Sequence, residues 1–201
     1  MESPRAGSYY ARVSLGVHLF SLADMKRNDP EGEAFLRGAF ARLNEALARR
    51  GLPLHHEPEE PVALSLSGIL ANMPYATFDA LGRALIAHRS PKVADRFTYA
   101  ESVVIGLESH LVCHANNAGF YLPIDFERPL HATFDEAHLP GGLVGSSQRL
   151  LAELLEIAPA LKVDPESPEP LEGGRNLALG WHTLRAMAQA STDHRTAIWL
   201  Q

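Results

Sequence analysis

Cysteine is nearly missing from this 201-residue chain, which has one, Cys113. An intrachain disulfide is therefore excluded, and the fold must be held by its core. Long apolar runs are missing too. None approaches the roughly 20 residues that a membrane-spanning helix needs, so no membrane partner is expected. Clustered positive charge is also absent. The longest basic runs are Lys26 with Arg27 and Arg49 with Arg50, both short and close to acids, whereas phosphate backbones attract clusters of Lys and Arg. Together with a net charge of −6, this argues against a general nucleic-acid binder, and nucleic acid is left out of the expected partners. The first seven residues hold no apolar stretch of the secretory type, so a cytoplasmic protein is expected. No segment repeats at a fixed period.

What is present suits a globular protein with a full core: 46% of residues are hydrophobic and 21% charged. The length suggests one domain over residues 1–201, with a loose tail at 1–10 and a polar loop at 162–174. Val13, Leu15, Val17 and Leu19 alternate with polar residues, the pattern of a strand with one buried face. Asp29 and Pro30 supply an N-cap and a first helical residue. Phe35, Leu36, Ala39, Phe40, Leu43 and Leu47 then recur at helical spacing until Gly51 and Pro53 stop the run. Residues 24–29 read as a polar loop, and 52–61 as a proline-bounded extended segment. Further helices are expected from Pro74 to about His88, from Ser146 or Ser147 to about Ala158, and from about Asn176 to Ala190. Residues 62–70 and 97–107 are ambiguous between helix and strand, and 196–200 reads as a closing strand. The expected fold is α+β, with a mainly antiparallel sheet around a central β-hairpin, covered by about four helices.

The hairpin is expected over residues 108–126. Leu111 and Cys113 alternate with His110, Val112 and His114, residues 115–119 supply turn formers, and residues 120–126 are aromatic and β-forming. Pro123 confines the second strand to an edge or ends it nearby. Most of the chemistry-bearing side chains gather here: His110, His114, Asn116, Asn117, Tyr121 and Asp125. His110 and His114 could share a metal on a helix. On a strand they stand about 13 Å apart, so hydrogen-bonding histidines and no metal are expected. His55, His56 and Glu57 form a second cluster, whose adjacent histidines point to opposite sides of an extended loop. The glycine-rich residues 141–147 lack the Lys of a phosphate-binding loop and the second Gly of a serine-nucleophile turn. Helix capping is the expected role there. Cys113 reads as a small buried hydrophobe.

Four segments carry a resemblance: HLVCHANNAGFYLPIDF, GGLVGSSQRLLAELLEIAPAL, SLGVHLFSLADMKRNDPEGEAF and LPLHHEPEE. They resemble a group of uncharacterised bacterial cytoplasmic proteins, from about Ser14 to Leu161. The resemblance implies a bacterial, soluble, single-domain protein and carries over no catalytic residue. Where a Ser-Asp pair is associated with the turn, this chain has Ala115, Asn116 and Asn117, which argues against a carboxylate-based site there. The expected function is a non-enzymatic protein-binding module of immunity or toxin-neutralising type, with no cofactor and a protein partner. Tyr121 and Asp125 would lie on its exposed surface, and self-association is left open. The alternative is a metal-dependent hydrolase using His55 or His56 with Glu57, His110, His114 and Asp125.

Overall fold

The structure, a computed structural model, describes residues 14–60, 71–91, 108–114, 118–131, 141–166 and 175–201. The strands are β1 (Ser14–Leu19), β2 (Ala71–Pro74), β3 (Gly119–Leu122), β4 (Leu130–His131), β5 (Leu143–Ser146) and β6 (Ile198–Leu200). The helices among the described residues are α1 (Ser21–Asn28), α2 (Pro30–Arg49), α3 (Tyr75–Arg89), α4 (Ser147–Leu161) and α5 (Arg175–His194). One six-stranded sheet runs β2-β1-β6-β3-β5-β4. Every pairing is antiparallel except that of β3 with β5. The α+β, mainly antiparallel expectation holds, with five helices among the described residues where about four were expected.

Period-two patterning sorts the side chains between two cores. Leu15, Val17, Leu19, Tyr121, Ile198 and Leu200 face α3, α4 and α5. Phe120, Leu122 and Val144 face α2, which buries Leu36, Phe40, Leu43 and Leu47 against them. β3 is covered on both faces, as its unbroken burial shows. The two terminal strands pair directly, Val17 opposite Leu200 and Leu19 opposite Ile198.

Local signals account for several boundaries. The Asp29 side chain accepts from Gly32 N at 3.0 Å and opens α2. Gly51, with φ of 66°, follows its end in the left-handed region that glycine tolerates best. Ser146 caps α4 by accepting from Arg149 N. Residues 24–29 depart from the expected loop. They lie largely in α1, which buries Leu22 and Ala23 and has no side-chain N-cap to announce it.

The central hairpin does not form. Residues 110–114 make a helical turn, with Cys113 N donating to Ser109 O at 3.0 Å. Its first turn is capped twice. Ser109 Oγ accepts from Val112 N at 3.1 Å, and the Glu153 carboxylate accepts from Leu111 N at 2.6 Å. A capping Ser at the start of a short apolar run favours this turn, and a buried carboxylate from α4 secures it. β3 pairs instead with β6 and β5 and ends before Pro123. The ambiguous residues 62–70 and 97–107 lie outside the described residues.

Candidate functional site

The turn at 109–114 places both of its histidines in the interior. His110 Nδ1 accepts from Ser146 N at 2.8 Å, and Nε2 lies 3.2 Å from Glu127 O. Burial lowers its pKa to about 4, with the Glu127 carbonyl opposing that shift. The ring is therefore neutral, with the proton on Nε2. His114 Nε2 lies 3.2 Å from Phe120 O, and its ring sits 4.5 Å from that of Tyr121. The four-residue spacing does fall on a helical turn, so the 13 Å separation expected on a strand does not apply. The two imidazoles nevertheless serve different backbone partners. Among the described residues, no group of three or more His, Cys, Asp and Glu side chains is arranged to hold a metal.

Tyr121 corrects another expectation. It is fully buried, and its hydroxyl donates to His110 O at 2.7 Å. The reason is its place on β3, a strand with neighbours on both sides, where no residue faces water. Its ring lies over Gly145, its register partner on β5, and any side chain there would strike it. Asp125, past the strand end, is exposed and paired with Arg149. Asn116 and Asn117 lie outside the described residues.

Glu153 is a residue that sequence patterning did not single out. It sits on the apolar stripe of α4 beside Leu150, Leu154 and Ile157, and an acid at that helical position was the available signal. Its carboxylate also accepts from Ser109 Oγ at 3.0 Å and Arg89 Nη1 at 3.1 Å. Burial raises its pKa, and the bond from Leu111 N opposes the rise.

The 55–57 cluster does alternate as expected, with His55 buried and His56 exposed. The Asn44 amide accepts from His55 N at 2.7 Å and donates to His55 O at 2.8 Å, which docks the segment on α2. Glu57 is sequestered, its side chain 1% exposed. It accepts from His55 Nε2 at 2.7 Å, Thr196 Oγ1 at 2.6 Å and Ala197 N at 2.7 Å. The network continues through Ser191 Oγ, which donates to Thr196 O at 2.6 Å and so must accept from Ser147 Oγ. These groups lock β6 to α5, α4 and residues 52–60. They are not brought together with His110 or His114, which occupy a separate network.

One cluster of accessible charge lies elsewhere. Around the α1–α2 corner stand Asp24, Asp29, Glu31, Glu33, Glu59 and Glu60, against Lys26, Arg27 and Arg37. Six carboxylates against three cations leave −3, half of the chain's −6. Ion pairs from Glu59 to Lys26 and Arg37, from Glu33 to Arg37 and from Glu60 to Arg27 tie the three segments together. Composition alone does not reveal this corner, because its carboxylates are spread over 37 positions from Asp24 to Glu60.

No curated protein and no solved structure matches the chain. A family model described as "Putative DNA-mimic protein" matches residues 12–200. This corrects the expected function, since the family is described neither as an immunity or toxin-neutralising module nor as a hydrolase. It also corrects the partner class, because a DNA mimic engages proteins that bind nucleic acid. The resemblance to a group of related proteins is met at the level of the family, and no helix among the described residues is long and apolar enough to cross a membrane. With 12–200 of its 201 residues matched, the chain belongs to the family described as "Putative DNA-mimic protein".

Proposed function

We propose that this chain presents carboxylates in place of DNA phosphates to a DNA-binding protein and competes with DNA for it. Membership in the family carries this reading. The acidic α1–α2 corner supports it, because a mimic needs exposed negative charge on a rigid frame, and here two helices and a docked segment supply that frame. Of the residues singled out from sequence, Asp125 and His56 are exposed and can join such a surface. The buried ones can only support it. The whole chain would act as one folded unit in a bacterial cytoplasm, where a DNA-binding partner would be met.

Titration of the chain into complexes of duplex DNA with purified DNA-binding proteins tests this. Representatives of nucleoid, repressor and nuclease types make a suitable panel. Release of DNA from at least one, weakening as salt rises, is the expected result. A variant carrying Asp24→Asn, Glu31→Gln and Glu60→Gln should release less. Retention of DNA in every complex at large molar excess of the chain would overturn the reading.

A further inference from the structure

A row of rings crosses the sheet on its α2 face. Phe120, Trp199 and His18 are register neighbours on β3, β6 and β1. Phe120 stacks on Trp199 at an interplanar angle of 10°, and His18 lies 5.4 Å from Trp199 between centroids. Phe35 of α2 reaches Trp199 at 6.4 Å. Burial falls along the row: Phe120 is 1% exposed, Trp199 and His18 are half-buried, and Phe35 is 55% exposed. Among the described residues, α2 covers β3 and β5, and its apolar stripe does not extend to the β1 end of this face. On β1 that face carries Gly16 and His18, and the His18 and Gln201 side chains lie over Gly16.

Carboxylates flank the open end. Asp24 is close enough to His18 to favour its protonated form, against the larger opposing effect of burial. Glu31 precedes Phe35 by four residues on α2, and both are exposed, which sets them on one helical face. Exposed aromatic surface bordered by carboxylates is complementary to a guanidinium. Arginine lies flat on aromatic rings and pairs with carboxylates through its fork, whereas lysine offers a compact, strongly hydrated charge.

Building on the mimic reading, we propose that Phe35 and Trp199, with Asp24 and Glu31 beside them, receive an arginine side chain of the DNA-binding partner. The rings would supply the preference for arginine and the carboxylates the attraction for any cation. Arginines that contact DNA phosphates are then the partner residues this surface would occupy.

Binding of nona-arginine and nona-lysine peptides at low salt tests the site without knowledge of the partner. Trp199 reports occupancy, because the other tryptophan, Trp181, is fully buried. The wild-type chain should bind nona-arginine about fivefold more tightly than nona-lysine, the scale of a partly exposed cation–π contact. Phe35→Ala should erase that preference with its thermal melt unchanged. Asp24→Asn with Glu31→Gln should weaken both peptides and flatten their salt dependence. Equal binding of the two peptides, or a preference that survives Phe35→Ala, would overturn the proposal. DNA displacement separates it from the parent reading. If Phe35→Ala still releases DNA as the wild type does, the arginine site falls and the mimic stands. If the wild type releases no DNA while the peptides discriminate, the mimic falls and the arginine site stands.

Discussion

At His110 one ring nitrogen accepts from Ser146 N while the other faces the Glu127 carbonyl. Only the neutral ring can do both, since an imidazolium has two donors. Its folded pKa of about 4 lies below the unfolded value of 6.5. As pH falls below 6.5, the unfolded chain takes up a proton that the folded chain refuses until about pH 4. Stability is therefore lost across that window, by about 2–3 kcal/mol at pH 4.5. His110→Asn retains an acceptor for Ser146 N but cannot titrate, so urea melts at pH 7 and pH 4.5 should show a smaller loss for it. Equal losses would rule the mechanism out. Glu153 acts in the opposite sense, because burial raises its pKa and its ionised form costs stability above that pKa. Tyr121 is the second test at this scale. Tyr121→Phe leaves the His110 carbonyl with the weak Cys113 thiol donor at 3.1 Å and should cost about 0.5–1.5 kcal/mol, and Tyr121→Ala about 3–5 kcal/mol. A Tyr121→Ala chain as stable as the wild type would return that ring to the surface.

Among the elements, α4 shows how one helix serves several ends. Its N-cap residue Ser146 donates its N–H to the His110 ring, its buried Glu153 caps the 109–114 turn, and its carbonyl at Leu154 accepts from Trp181 Nε1 at 2.7 Å. Leu154 is fully buried, whereas Leu155 is 41% exposed. Leu154→Ala should therefore cost about 2–5 kcal/mol, and Leu155→Ala less than about 1 kcal/mol. Denaturant midpoints of the two variants measure the difference. Similar costs would mean that α4 is turned about its axis, with Leu155 sharing the core with Leu154.

Over the whole molecule, the Glu57 network joins parts of the chain far apart in sequence. Thr196 Oγ1 donates to Glu57 and accepts from Phe20 N at 3.1 Å, so residues 20, 57 and 196 meet at one point. Glu57→Leu would leave Thr196 Oγ1 and Ala197 N without their acceptor in the interior, at about 1–3 kcal/mol for each group. Hydrogen exchange reads this directly: the Ala197 amide, protected in the wild type, should exchange faster in the variant. Unchanged protection would show that another acceptor serves that amide.

Short-range patterns by themselves determined much of the framework. Alternation placed β1, and a capped, evenly spaced apolar stripe placed α2 from Pro30 to Arg49. Ser146 marked the start of α4, and adjacency turned His55 and His56 to opposite sides. Each of these depends on neighbours within a few residues, which is why it was legible. Tertiary structure alone decided the rest. The alternating residues 110–114 became a turn because Glu153, over forty positions away in sequence, satisfies Leu111 N. Tyr121 became core because β6 and β5 pair on either side of β3. The acidic corner and the open aromatic row exist only where α1, α2, residues 57–60 and the terminal strands converge. Burial and charge balance are properties of that convergence, and no local spacing encodes them.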